Sequence, residues 1–363
     1  MQGKTALLAW FDRHKRELPW RAAGKQDASV PESLPDPYAV WISEIMLQQT
    51  RVETAIPFYL RFLERFPDLA SLARAEEAEV LALWSGLGYY RRCRGLLAAA
   101  RQLVAAGGRL PATARELERL PGIGPYTAAA IASIAFGEAV PVLDGNVERV
   151  LSRYSAQAGG GRSREDRAAL LTLAATLLDR ERPGDSNQAL MELGATVCTP
   201  RSPDCPRCPL AESCAALAEG SPASYPAAPP RASARRVAQL VALVEEGGRF
   251  LLFRRSASAG QLASLWEFPA VELAAERSPV VELAQRFGGT WEVGGELFRL
   301  RHAITTRSFA IEVRRASLVV ADGVLSESAD GQEAGWWSRA ELAGLPLTGV
   351  ARKVLARAAT QPG

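Results

Sequence analysis

The chain reads as multi-domain: an all-α domain over residues 1–216, a linker over 217–236, and an α+β domain over 237–363. Three observations carry this expectation. Apolar residues in the first part recur at the spacing of helix faces. The stretch LAEGSPASYPAAPPRASARR that follows is rich in Pro, Ala and Ser and ends in arginines, the composition of a semi-extended linker. Beyond it the pattern changes to the two-residue alternation of strands.

Composition bounds the function classes. A chain of 363 residues can bury a core in each of two domains, and 48% hydrophobic with 23% charged residues is ordinary for a soluble protein. No run is long and apolar enough to span a bilayer, and the N-terminus shows no basic-then-apolar signal, so a cytoplasmic, nucleoid-associated protein is expected. The formal charge of +3 supplies no strong global attraction to nucleic acid. Arg91, Arg92 and Arg94 form a local cluster that suits either a solvated face or phosphate contacts. His14 and His302 are the only histidines and no HExxH pattern is present, which disfavours zincins and most histidine-based hydrolases. Acid or base chemistry must then rest on carboxylates.

In order along the chain, residues 4–17 have helical spacing and stop at Leu18-Pro19-Trp20-Arg21, and three prolines over 22–37 predict an exposed loop. A long helix is expected from Pro37 through VWISEIMLQQTRVETAI, with Pro57 inside or ending it. Within it Glu44 is flanked by Ile42, Ile45, Met46 and Leu47. Such a glutamate either faces solvent or is buried for a purpose, because desolvation favours its protonated form. The segment LWSGLGYYRRCRGL predicts a helix, a Gly-x-Gly turn and a second helix, with Tyr89 and Tyr90 readable as half-buried packing residues. Further helices are expected over 93–106, 113–120, 126–136, 146–155, 164–180 and 186–197.

The stretch from Leu120 to Asn146 is the most distinctive. Pro121, Gly122, Gly124 and Pro125 end one helix and open another, and the two glycines let the backbone approach a ligand closely. The N–H groups of the following helix suit a phosphate, so the implied ligand is an anionic backbone. An interhelical turn is the plainer reading. Asp144 sits just before the next helix, where it is either an N-cap or a functional acid.

Cys198, Cys205, Cys208 and Cys214 have the spacing C-x6-C-x2-C-x5-C, and a cytosolic chain disfavours disulfides among them. Spacing leaves zinc and a [4Fe–4S] cluster both open, with the cluster favoured because paired short-spaced dyads are missing. Cys93 reads as a small core residue. In the second domain, VAQLVALVEEGGRFLLFRR predicts strand, Gly-Gly turn and strand, GELFRLRHAITTRSFAIEVRRASLVVA predicts further strands, and WWSRAELAGL and TGVARKVLARAA each predict a helix.

The segments SEIMLQQT, GLGYY, LPGIGPYTAAAI and LDGNVERVLSR, the cysteine loop and the LWEFP stretch of a Nudix-like domain resemble, in this order, the MutY-type adenine DNA glycosylases of the endonuclease III superfamily. The resemblance implies a helix-hairpin-helix glycosylase fold followed by a Nudix-like lesion-recognition domain. It implies Glu44 as the acid that protonates adenine N7 and Asp144 as the carboxylate that stabilises or captures the sugar cation. Asn146 would orient Asp144 or the water, and Tyr126 would face the sugar. Leu47 and Gln49 would insert near the opposing base, Tyr89 would wedge into the stack, and Gly122, Gly124 and Thr127 would meet the DNA backbone. Arg21 and Gln188 are implied around the base. A [4Fe–4S] cluster on the four cysteines would order a loop carrying Arg201 and Arg207 towards phosphates.

Tyr126 stands where bifunctional relatives carry a Schiff-base lysine, so a monofunctional enzyme is expected. The implied partner is double-stranded DNA with adenine opposite 8-oxoguanine or guanine, bound by a monomer without any membrane role. The Nudix-like part shows no REx2ExxGx carboxylate set, which disfavours pyrophosphate hydrolysis and favours recognition. Where the family has Phe-Ser-His, this chain has Ile304, Thr305 and Thr306 after His302, so the motif's histidine is missing and Thr305, Thr306, Arg307 and Ser308 remain as donors for 8-oxoguanine. An oxidised-pyrimidine glycosylase and a non-enzymatic DNA-binding iron–sulfur protein are the alternatives.

Overall fold

Capping chemistry marks where the helices of the first part begin. The computed structural model describes residues 2–21, 34–228, 235–259, 262–273, 277–304, 306–319 and 332–359. Thr305, the greater part of the proline-rich loop at 22–33, and residues 229–234 of the expected linker lie outside them. The helices are α1 (Gln2–His14), α2 (Pro37–Leu47), α3 (Val52–Arg65), α4 (Leu69–Arg74), α5 (Glu77–Trp84), α6 (Tyr90–Ala105), α7 (Ala114–Leu117), α8 (Pro125–Phe136), α9 (Gly145–Tyr154), α10 (Arg164–Leu177), α11 (Pro183–Thr196) and α12 (Ala215–Ala218). Asp36, Asp68, Thr113, Asp144 and Ser163 each accept a backbone N–H at the start of their helices, satisfying donors that the helix itself leaves unpaired.

The chain divides into two compact units, Met1–Ala75 with Arg91–Pro230, and Glu76–Tyr90 with Arg231–Gly363. In the first, α8 is the central element. Its Ala and Ile residues from Ala128 to Ala135 are buried, and it packs against α2, α7 and α11. Small side chains let these axes approach closely, and each fully buried Ile contributes about 1.5–3 kcal/mol. Gly122 in the hairpin before α8 has φ +78°, and a Cβ on Gly95 of α6 would lie 3.0 Å from its Cα, so the turn is seated directly on α6. The single long helix expected from Pro37 is two. It breaks after Leu47, where Gln49 takes φ 59° and the Arg92 guanidinium caps the carbonyls of Ile45, Met46 and Gln48. Pro57 lies inside α3. The expected helix over 113–120 shrinks to the one turn of α7.

Part of the expected linker is tied to the first unit: Tyr225 O accepts from Arg153 Nε at 3.0 Å, and Ala227 N–H donates to Ala158 O at 3.0 Å.

The second unit is built on a mixed sheet of β1 (Arg235–Glu246), β2 (Arg249–Arg254), β3 (Trp266–Glu267), β4 (Ala270–Glu272), β5 (Thr290–Ile304), β6 (Arg307–Val319) and β7 (Ala334–Ser338). Its main order is β3-β2-β1-β6-β5, with β1 and β6 parallel, β4 paired to β1 and β7 to β2. Helices α13 (Pro279–Phe287), α14 (Arg339–Leu342) and α15 (Gly349–Ala358) complete it. Alternation places Val241, Leu243, Phe250 and Leu252 in one core, and Leu240, Ala242, Val244 and Leu251 in the other. The sequence reading anticipated β1, β2, β5, β6 and the two last helices, and left out α13 and the short strands. In the same unit the turn after α5 is held by Ser85 Oγ and Tyr90 Oη, each donating to Leu347 O at 3.1 Å.

Candidate active site

Glu44 lies on the last full turn of α2 and is only 6% exposed, so of its two sequence readings the buried one holds. The helix is largely apolar and packs on α8, so the carboxylate is largely desolvated and reaches solvent only through the cavity it lines. Tyr126, in the first turn of α8, donates from Oη to Glu44 Oε2 at 3.0 Å and also lies 3.2 Å from Met191 Sδ. Burial is the largest influence on Glu44 and pushes its pKa up to about 7. The Tyr126 hydrogen bond pulls it down, the Asp144 charge pushes it up and Arg21 pulls it down.

Asp144 is an N-cap and faces the same cavity, so its two sequence readings are compatible. Its Oδ1 accepts from Val147 N–H at 2.7 Å and its Oδ2 from Asn146 Nδ2 at 3.1 Å. Burial raises its pKa, and those hydrogen bonds together with the Arg149 charge oppose the rise. Asn146 is held in turn by Arg149, which also donates to the Gly194 and Cys198 carbonyls. A Cβ at Gly194 of α11 would stand 2.7 Å from Asn146 Cβ and 3.0 Å from Asn146 O, so only glycine lets α11 and α9 meet there.

A cavity of about 170 Å³ brings Glu44, Asp144, Asn146, Arg21, Gln188 and Leu47 together. Arg21 Nε donates to Gln188 Oε1 at 2.8 Å and its Nη2 to the buried Glu192 at 3.0 Å, while Arg16 Nε reaches Glu192 at 2.6 Å. Sequence reasoning missed Arg16, Arg149, Gly194 and Glu192. Glu192 carried the same signal as Glu44, an acid on an apolar helix, and it follows Gln188 by one turn.

The residues implied at DNA are placed differently from one another. Gly122 and Gly124 are exposed, and among the described residues no side chain caps the N-terminus of α8. Thr127 is buried, its hydroxyl accepting from Gln48 Nε2 at 2.9 Å. Gln49 is exposed with φ 59°, and Tyr89 is 48% exposed with φ 50°. A non-glycine residue in that region costs about 1–3 kcal/mol, so both loops hold their side chains out at an energetic expense. Arg92 is engaged with carbonyls of α2, whereas Arg91, Arg201 and Arg207 are exposed. In the second unit Thr306 is exposed and Ser308 half-buried, and Arg307 pairs with Glu272 and lies over the Phe309 ring.

Cys198, Cys205, Cys208 and Cys214 line one cavity with Val150, Arg153 and Leu210. Burial pushes the Cys208 thiol up to about 11, with the other three cysteines adding to the rise. Four thiols so placed ionise together only around a cationic group. Among the described residues no three or more His, Cys, Asp or Glu are gathered tightly enough for a single metal ion. The four thiols facing one cavity are the donor set that a thiolate-held cluster would require. Arg153 is 2% exposed, and its Nη1 donates to Cys198 Sγ at 3.3 Å.

Residues 42–172 match the HhH-GPD superfamily of base excision DNA repair proteins, residues 198–214 the iron–sulfur binding domain of endonuclease III, and residues 240–357 the NUDIX domain. The helical unit is similar to a solved thermostable thymine-DNA glycosylase, with 28% identity and a TM-score of 0.52 over 60% of this chain and 95% of that one. Fold and site thus define a helix-hairpin-helix base-excision repair protein with a Nudix-like second domain. An adenine DNA glycosylase of Schizosaccharomyces pombe is 37% identical over 329 residues, 76% of this chain and 70% of that one. One of Arabidopsis thaliana is 42% identical over 303 residues, 74% of this chain and 47% of that one. The chain belongs to the adenine DNA glycosylase family. It spans about half the length of the plant relative. The metal left open by the cysteine spacing is thereby decided: the loop is an iron–sulfur domain, and its group is a [4Fe–4S] cluster. Among the described residues no helix is long and apolar enough to cross a membrane.

Proposed function

We propose that this protein is a monofunctional DNA glycosylase that removes adenine from mispairs with 8-oxoguanine or guanine in double-stranded DNA. The observation that carries the reading is the pairing of two carboxylates in one cavity, Glu44 with its pKa pushed up to about 7 and Asp144 accepting hydrogen bonds from Val147 N–H and Asn146 Nδ2. Flipping the nucleotide out costs a few kcal/mol of unstacking, which Leu47 and Gln49 would offset by inserting near the opposing base; a wedge role in the stack is proposed separately for Tyr89. Exposed backbone at Gly122 and Gly124 would hold the phosphates, with Arg201 and Arg207 on the cluster loop. The cluster, when bound, supplies order to that loop.

Glu44 in its protonated form gives its proton to adenine N7. The C1′–N9 bond breaks with its electron pair leaving on the base, and the cation at C1′ is stabilised or captured by the Asp144 carboxylate. Water then adds to C1′ and its proton passes to a carboxylate, Asn146 keeping Asp144 oriented. The phenol of Tyr126 cannot form a Schiff base, and burial, with the Glu44 and Asp144 charges adding, raises its pKa far above neutrality. An abasic site is the product. We assign the lesion contact to Thr305, Thr306, Arg307 and Ser308, with Arg307 also paired to Glu272. The domain limits 1–216 and 237–363, action as a monomer at the nucleoid, and the absence of a membrane role belong to the same proposal.

Single-turnover release of adenine from duplexes differing only in the opposite base tests it. Release opposite 8-oxoguanine and guanine but not opposite thymine or cytosine is expected, with no borohydride-trapped adduct. No release from any duplex, or efficient trapping, would overturn the reading.

A further inference from the structure

We infer that Glu192 is a positioning residue of the base pocket, clamping Arg21 so that Arg21 holds the side-chain amide of Gln188 with its NH2 end available to the bound base. The inference rests on the adenine reading above.

Glu192 is 1% exposed and its carboxylate is fully engaged. Oε1 accepts from Arg16 Nε at 2.6 Å and from the Arg16 N–H at 3.3 Å, and Oε2 accepts from Arg16 Nη2 at 3.3 Å and Arg21 Nη2 at 3.0 Å. Burial opposes its charge, but the hydrogen bonds and charges of the two arginines outweigh burial and hold its pKa below the ordinary range. The two acids of one cavity are thus shifted in opposite directions, Glu192 down and Glu44 up to about 7.

The clamp leaves Arg21 little freedom. Its three donor directions go to Gln188 Oε1 at 2.8 Å, Arg16 O at 2.9 Å and Glu192, and its guanidinium lies over the Phe11 ring at 5.3 Å. A glutamine amide can normally present either its C=O or its NH2 by a half-turn. Here the donor Nε of Arg21 occupies the C=O end. The NH2 end has no partner among the described residues, and the residue lines the cavity with Glu44 and Asp144. A fixed donor there suits an acceptor ring nitrogen of adenine. Because Gln188 and Glu192 are one turn apart on α11, one helix face sets both ends of the clamp.

The test is single-turnover adenine release and duplex affinity for the full-length holoenzyme and the variants Glu192→Gln, Arg21→Lys, Gln188→Leu and Glu192→Gln with Gln188→Leu. Misplacing a base contact by about 1 Å costs on the order of 100-fold in rate, so Glu192→Gln should slow release about 30- to 100-fold while duplex affinity changes by less than about threefold. The double variant should be no slower than the slower single one, because both act through one contact. Arg21→Lys keeps the cation beside Glu192 but has no Nε to hold the amide, so it should lose as much rate; it carries the test if Glu192→Gln does not fold. Losses that multiply in the double variant, or Arg21→Lys and Glu192→Gln at the wild-type rate, would overturn the clamp. A wild-type protein that releases no adenine would sink the functional reading instead.

Discussion

Replacing Tyr126 by Phe isolates one hydrogen bond in the pocket. The ring and its packing stay, and only the hydroxyl that donates to Glu44 Oε2 at 3.0 Å is lost. That bond favours ionised Glu44, the second influence after burial, so its removal raises the Glu44 pKa from about 7. A hydrogen bond to a charged group contributes about 1.5–3 kcal/mol, and about 1.4 kcal/mol corresponds to one pKa unit. The expected rise is about one to two units, the lower part of the range if the protonated acid keeps a weaker bond to another partner. Since the proton donor is the protonated form, the alkaline limb of the single-turnover rate should move from near pH 7 to about pH 8–9. The assay is adenine release from an adenine:8-oxoguanine duplex between pH 5 and 10. An alkaline limb that stays in place or moves to lower pH would refute either the identity of the acid or the direction of the Tyr126 contact.

Glu44→Gln should abolish release yet stabilise the fold above neutrality. The folded-state pKa of about 7 lies above the ordinary 4.5, so the folded protein binds the extra proton and loses stability as pH rises from 4.5 through 7. The full penalty at pH 8 is roughly 3 kcal/mol, which urea unfolding of variant and wild type at pH 8 and pH 5 would show as a gap that closes at the lower pH. Gly194→Ala should slow release by tenfold or more with little change in duplex affinity, because its Cβ would press on Asn146 at 2.7 Å and shift the partner of Asp144. A rate within twofold of wild type would mean that α11 and α9 separate there without moving Asn146.

Much of this protein is legible in its linear pattern because the signals are local. The four breakers before α8 belong to a turn whatever surrounds them, and the period change after residue 236 marks strands that bury alternate residues. Four cysteines bunched in one loop mark an iron–sulfur segment by their spacing in the sequence. The reading failed where a distant residue intervenes. The break after Leu47 is capped by Arg92, which lies 44 positions beyond the carbonyl of Gln48 that it caps. Arg92 could not be told from its exposed neighbour Arg91 without that helix end.

The charge states of the pocket belong to the same division. Linear order alone placed Glu44 on an apolar helix and Asp144 before a helix start, and left each open between a structural and a functional reading. Only the tertiary structure decided that Glu44 is buried where α2 packs on α8, that Tyr126 reaches it, and that Glu192 meets two arginines and stays ionised. Desolvation and pairing depend on what packs around a carboxylate, and those neighbours come from segments up to 176 residues apart.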